Sequence, residues 1–469
     1  MKRLNEIISC PYDIEIRGIA TDSRNVVPGD LYVATKGFNV DHYDFIDDAI
    51  KKGAVAVVVD RGEDFSVPTI HVTDIDQSLV SICEAFYDVS SSDFSFVGIT
   101  GTDGKTTTAT ITRNLLNQFM PTAYIGTNGL VCGDEVIPTS NTTPAVEELY
   151  RLFSVIKKHK CKVVVMEVSS EAMLHHRVDS IQFDVVGYTN ITEDHLNVHK
   201  TLENYRNCKF RLATLVKDNG KVIINGDDKN CQLIPVKSVF TYGLASDNNC
   251  VISDVNECKD NTSFTLTVNG SKTSVVSPFS ALYNVYNVTL ALLIAEYFSI
   301  SFAQACPVLK EMSSVPGRRE VFHAKGGYDI LLDYAHTENS ILNLLKSLTH
   351  YPRIIVVTGA AGGREKEKRP KIGNILFQYA SYIFFTMDDP RDEDPEEIAK
   401  MIVGSHQEDN YTFVRDRREA IFTACKFAKE GDVVAVIGKG RDSYMAIGSE
   451  KLPYETDYNV ILDYLKEEQ

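Results

Sequence analysis

The residues best equipped for chemistry are Gly101, Thr102, Asp103, Gly104, Lys105, Thr106 and Thr107. An apolar run, residues 96–99, leads into them, and helical spacing follows over residues 109–119. In a strand–turn–helix arrangement, backbone N–H groups and the positive end of a helix meet a phosphate. A lysine adds a point charge, and a hydroxyl reaches Mg2+. The spacing is not that of the general P-loop: Ile99 stands five residues before Gly104, and Gly98 and Gly101 bracket the turn instead. A second candidate is Glu167, which ends the run Val163-Val164-Val165-Met166. A carboxylate there is costly unless a cation meets it. Mg2+ is the natural partner, since it takes a few carboxylate or hydroxyl oxygens together with phosphate and water. His195 and His199 could be a metal ligand and its neighbour, or ordinary polar residues. Asn284 and Asn287 lie three apart at a helix start and share a face, placed to cap or to read a nucleotide base.

These residues need a scaffold, and 469 residues suffice for two or three domains. Residues 1–90 form a first unit, with strands expected over 14–22, 31–34 and 54–59 and a helix over 45–52. Residues 91–315 form a second, in which strands over 94–100, 162–168, 184–190 and 221–225 alternate with helices. Residues 254–276 alternate like an antiparallel hairpin with its turn at Asn261-Thr262. A helix opens near Tyr283 and runs to about Phe298. Residues 316–469 form a third unit, with buried-type strands over 329–333, 353–358, 381–386 and 432–437. Parallel strands with helical crossovers imply sheets covered on both faces, with ligands beyond the strands' carboxyl ends. The formal net charge of −16 argues against a nucleic-acid partner. Ten cysteines without a C-x-x-C pair read as reduced thiols. No apolar run reaches the roughly 20 residues of a membrane span, and the N-terminus has no signal-peptide pattern, so a cytoplasmic protein is expected.

Taken together, the motifs resemble the Mur ligase family over nearly the whole chain. The resemblance is carried by Asp22-Ser23-Arg24 with Pro28-Gly29-Asp30, the phosphate loop, Thr142-Thr143-Pro144 and Glu167-Val168-Ser169-Ser170. It continues through Asp194-His195-Leu196, Lys209 within Cys208-Lys209-Phe210-Arg211-Leu212, Asn284 and Asn287, and Gly317-Arg318. Asp333-Tyr334-Ala335-His336-Thr337, residues 366–370 and Asp388-Asp389-Pro390-Arg391 complete it. The resemblance implies an α/β protein of three domains. These are a small UDP-binding domain (1–90), a central parallel-sheet P-loop-type ATPase domain (91–315) and a C-terminal Rossmann-like domain for the incoming amino acid (316–469).

The activity it implies is addition of the third, diamino residue of the peptidoglycan stem to UDP-MurNAc-L-Ala-D-Glu. ATP would drive it through an acyl phosphate, with meso-diaminopimelate favoured over L-lysine or ornithine. Other readings are a folylpolyglutamate-type ligase and a non-catalytic relative that binds nucleotide or muropeptide. Lys105, Glu167, His195 and Lys209 would be catalytic. Thr106 and Glu167 would hold Mg2+, and a second Mg2+ would use His195 and Lys209, the latter as its carbamate. Asn284, Asn287, Arg318 and Asp333 would contact ATP with the phosphate loop. Ser23 and Asn39 would hold the UDP moiety, and Thr142, Thr143, Ser169, Arg177 and Lys209 the sugar–peptide part. Arg364, Asp388, Asp389, Pro390, Arg391, Gly438 and Asp442 would meet the amino acid, with Arg391 clamping the distal carboxylate. A monomer is implied, with no membrane insertion. Five positions depart from the family's usual pattern: Asp103 and Asp389 where Asn is usual, Glu171 where His is frequent, and Arg441-Asp442 where His-Glu is usual.

Overall fold

The computed structural model describes residues 1–37, 40–258 and 261–467. Three large sheets follow one another along the described residues, beside two small two-stranded ones. The first has four parallel strands, Gly18–Ala20, Asp30–Val33, Ala56–Val59 and Thr69–His71. The single strand expected over 14–22 is two. Glu15–Ile16 pairs antiparallel with Lys2–Arg3, and only Gly18–Ala20 enters the parallel sheet. Between them the Arg17 N–H turns to the Gly29 carbonyl, which hands the chain from one sheet to the other. The helix Ile75–Tyr87 starts under an Asp74 cap. Its Leu79 and Ile82 share one core with Tyr150 and Phe153 of the helix Val146–Lys158, so the first sheet is fused to the second through packed helices.

The central sheet has eleven strands. Its parallel part runs in spatial order through Thr122–Gly126, Val163–Glu167, Ser95–Thr100, Phe183–Tyr188 and Val216–Asn225, then Phe240–Gly243 and Cys250–Glu257. Strand alternation sends Phe96 and Val164 to one face and Val97 and Val165 to the other. The helix Val146–Lys158 covers the first face, and Lys105–Asn117 and Leu282–Tyr297 cover the second. The hairpin expected over 254–276 is a three-stranded meander, Cys250–Glu257, Thr262–Val268 and Ser271–Ser277. It continues the central sheet because Ile252, Phe264, Leu266 and Val275 bury one face of it beneath the helix Leu282–Tyr297.

The third sheet is ordered Glu320–His323, Asp329–Asp333, Val433–Ile437, Ile354–Thr358, Tyr382–Phe385 and Tyr411–Phe413, parallel except for its first, antiparallel edge strand. Separate apolar layers cover its two faces. No helix among the described residues is long and apolar enough to cross a membrane, and all ten cysteines are free thiols.

Candidate active site

The carboxyl ends of the central and third sheets face one cavity of about 1350 Å³. On the central side, the strand Ser95–Thr100 ends in the glycine turn, and the helix Lys105–Asn117 begins at once. Gly104 has φ +83°, and a Cβ there would lie 2.4 Å from Asn287 Oδ1. Only glycine lets the loop pass so close to the helix Leu282–Tyr297. Asn287 in turn accepts from Thr108 Oγ1 (3.2 Å) and donates to Asn284 Oδ1 (3.1 Å). The expected nucleotide residues Asn284 and Asn287 therefore brace the phosphate loop and also line the cavity.

Two lysines meet at this loop. Lys105 Nζ donates to the carbonyls of Gly101 (2.9 Å) and Thr102 (2.8 Å), and Lys209 Nζ donates to the same Gly101 carbonyl at 2.7 Å. Lys209 is 1% exposed and lies over the Tyr205 ring. Burial, and then the like charge of Lys105, push its pKa well below the ordinary lysine value. Burial also lowers that of Lys105, against the pull of Glu167, Asp103 and Asp194.

Glu167 is fully buried. Thr106 Oγ1 donates to its Oε2 at 2.9 Å, the Thr127 N–H to its Oε1 at 2.9 Å, and the Tyr124 hydroxyl to the same Oε1. Arg318 Nη2 reaches Thr106 Oγ1 at 3.1 Å from the start of the third unit, stacked on Tyr334. Hydroxyl and carboxylate oxygens suit a hard divalent ion. Among the described residues no three His, Cys, Asp or Glu side chains form a metal-holding group, so an ion here would draw on hydroxyl oxygens and on oxygens brought by a ligand.

His195 sits at φ +53° with its ring stacked on that of Tyr205, centroids 6.2 Å apart. Its Nδ1 is buried without a hydrogen-bond partner, 3.5 Å from Glu171 Oε1 and outside bonding geometry. Its Nε2 lies 3.5 Å from Asp194 Oδ2. The imidazole beside it holds the Glu171 carboxyl at about 2. Burial works to raise Asp194, but His195, His336 and Lys368 outweigh it and keep that carboxyl well below the usual range. His199, by contrast, is buried and bonded to Ser170 Oγ at 3.0 Å.

Lobe-to-lobe contacts close the cavity. Lys368 Nζ meets Asp194 Oδ1 at 3.2 Å, and the Asn197 N–H donates to Glu365 Oε1 at 3.0 Å. On the third-sheet side, Asp333 accepts from the N–H groups of Arg319 (2.8 Å) and Ala335 (2.7 Å). Lys439, 1% exposed, bridges Asp389 (2.9 Å) and Asp442 (3.3 Å). Burial raises the Asp388 carboxyl against Arg417 and Lys439. Arg441 lies over Tyr458 and takes both oxygens of Glu320, so it serves the fold.

The cavity brings together Lys105, Thr106, Glu167, His195, Lys209, Arg318 and Asp333 with Thr142, Ser169, Arg177, Arg364, Asp388, Asp389, Gly438 and Asp442. Several expected residues stand apart. Ser23 is buried in the first unit. Thr143 is fully buried behind the wall, its hydroxyl donating to the Glu167 carbonyl at 2.8 Å. Gly101, Pro390 and Arg391 are not lining residues, although the Gly101 carbonyl anchors both lysines. Asn39 lies outside the described residues. Tyr124 and Thr127 were not expected, because they belong to a strand end that carries no long apolar run.

Comparison with known proteins fits this geometry. Three family profiles match in succession: Mur ligase family, catalytic domain over residues 15–88; Mur ligase middle domain over 99–295; and Mur ligase, glutamate ligase domain over 317–440. The chain is 34% identical over 467 residues to the UDP-N-acetylmuramoyl-L-alanyl-D-glutamate--2,6-diaminopimelate ligase of Caldanaerobacter subterraneus subsp. tengcongensis, covering 97% of this chain and 96% of that protein. A solved structure of a ligase with the same name superposes with a TM-score of 0.66 at 25% identity, covering 99% of both chains. The fold also matches MurF ligase from Thermotoga maritima in complex with ADP, with a TM-score of 0.65 at 20% identity over 96% of this chain and 97% of that one.

Proposed function

We propose, from the premise that this chain belongs to the Mur ligase family, that it joins meso-diaminopimelate to UDP-MurNAc-L-Ala-D-Glu at the expense of ATP. One observation carries the reading. The loop lysine, the buried strand-end glutamate and Lys209 line the same cavity as Arg364, Asp388 and Asp442 of the opposite sheet.

A carboxylate is a poor electrophile. Transfer of the γ-phosphoryl group to the γ-carboxylate of D-glutamate supplies a leaving group, and the amine of the diamino acid then displaces phosphate to form the amide. Lys105 sits where it neutralises the transferring phosphoryl group. Thr106 and Glu167 would hold Mg2+, and His195 with the carbamate of Lys209 a second Mg2+. The ions supply fixed positive charge between two anionic substrates. The residues suit this role. Glu167 is a buried carboxylate already bonded by the Thr106 hydroxyl, His195 keeps a buried nitrogen unpartnered, and only a neutral amine, which burial favours at Lys209, reacts with carbon dioxide.

In this reading residues 1–90 hold the UDP moiety with Ser23 and Asn39, 91–315 hold ATP and the muropeptide, and 316–469 deliver the amino acid. Thr142, Ser169 and Arg177 lie on the muropeptide side of the cavity, and Thr143 positions them from behind. Arg364, which lines the cavity where Arg391 does not, takes the distal carboxylate of meso-diaminopimelate, while Asp388, Asp389 and Asp442 read its ammonium.

The test is phosphate release by the purified protein with ATP, Mg2+, UDP-MurNAc-L-Ala-D-Glu and an amino-acid panel. Release with meso-diaminopimelate, at least roughly 100-fold more efficient than with L-lysine or ornithine, is the expected result. Preference for lysine or ornithine would overturn the substrate assignment, and silence throughout the panel would overturn the activity.

A further inference from the structure

Asp103 stands between the glycines of the phosphate loop, where an anionic side chain opposes an incoming triphosphate. Its main chain is tied to its own lobe. The N–H donates to Asn190 Oδ1 (3.0 Å), and the carbonyl accepts from Thr189 Oγ1 (2.6 Å) and Asn190 Nδ2 (3.1 Å). Its carboxylate points across the cavity to the other lobe. Oδ2 accepts from Asn339 Nδ2 at 3.2 Å, and the two oxygens lie 3.4 and 3.5 Å from Thr337 Oγ1. Thr337 is the N-cap of the ten-residue helix Glu338–Ser347. The carboxylate therefore rests at the positive end of a helix that follows directly from the strand end bearing Asp333.

We infer that Asp103 is a positioning residue, a latch that couples occupancy of the phosphate loop to closure of the amino-acid lobe. The inference rests on the ligase reading above. Two features make the contact more than lobe packing. Asp103 directly precedes Gly104 and Lys105, so it moves with the loop. Its carboxylate also finds its hydrogen-bond partners, Thr337 and Asn339, only when the far helix is docked. With the lobes apart, triphosphate and carboxylate repel each other; with them together, the helix end and the Asn339 amide offset that repulsion. Nucleotide in the loop thus favours the closed arrangement, in which the amine finds its electrophile.

The experiment measures closure by energy transfer between dyes on the central and third lobes of the full chain, with and without a non-hydrolysable ATP analogue. The wild-type chain is expected to close on adding the analogue. Asp103→Ala should lower the nucleotide-dependent closed-to-open ratio roughly fivefold and Asn339→Ala somewhat less, and the double variant should fall no further than Asp103→Ala alone, because Asn339 acts through that carboxylate. Asn339→Asp, which sets two carboxylates face to face, should hold the lobes open more than Asn339→Ala does, and it decides the matter if Asp103→Ala does not fold. Full multiplication of the two single effects, or closure of either Asn339 variant equal to wild type, would overturn the latch. Because closure is read with nucleotide alone, an inactive wild type in the amino-acid panel would count against the ligase reading and leave the latch to be decided by the dyes.

Discussion

At the scale of single residues the account turns on Lys209. A lysine 1% exposed, bonded only to a carbonyl in the structure described and held near a second lysine, is a poor place for a permanent cation. In the proposed reaction its carbamate would be the oxygen ligand for a metal between two anions. Lys209→Ala should lower turnover by roughly three orders of magnitude, and short-chain carboxylic acids should restore part of it by supplying the missing oxygens. Undiminished activity of the plain variant in the phosphate-release assay would show that the amine is structural. Residue types alone pointed to Lys105, Thr106 and Glu167, because a lysine after a glycine turn and an acid at a strand end have few uses. They did not reveal Tyr124 or Thr127, whose part is to fix the Glu167 carboxylate and whose importance exists only once the strands are adjacent. Nor did they separate Thr143 from Thr142: neighbours in a motif, one faces the cavity and the other is sealed behind it.

At the scale of elements, the third sheet depends on a clasp. Arg369, 2% exposed at the start of the helix Lys368–Tyr379, takes both oxygens of Glu393 at 2.8 and 2.9 Å, and the Gly363 N–H donates to the same carboxylate at 2.7 Å. Arg369 beside it holds the Glu393 carboxyl near 2, below its ordinary 4.5. A depressed carboxyl stabilises the fold above its unfolded value, and that contribution is lost as pH falls from about 4.5 towards 2. Glu393→Gln should cost about 1–3 kcal/mol at neutral pH and flatten the loss of stability across that acid window, as followed by denaturant melts at stepped pH. An acid limb as steep as that of wild type would assign it to other carboxylates. The parallel strands were legible because runs such as Val163-Val164-Val165-Met166 are buried on both faces. The strand Thr122–Gly126 was not, since Thr122 and Gly126 are polar or small yet fully buried by their neighbours. The polar start of Val216–Asn225 hid half of that strand in the same way.

At the scale of the whole molecule, the central and third units face each other across a single cavity. Asp194 with Lys368, Thr106 with Arg318 and Asp103 with Asn339 join the central unit to the third. Periodicity and spacing describe each unit but carry no information on how the units meet, so the residues of the meeting surface emerge only from the assembled fold. The central claim is that this cavity holds the muropeptide acid against the γ-phosphate of ATP, so that one carboxylate oxygen leaves with the phosphate. The direct measurement is turnover of UDP-MurNAc-L-Ala-D-Glu carrying 18O in the γ-carboxylate of its glutamate, with mass analysis of the inorganic phosphate released. One 18O atom per phosphate is the expected result; phosphate free of label would contradict the acyl-phosphate route and, with it, the reason for gathering Lys105, Glu167 and Lys209 in one place.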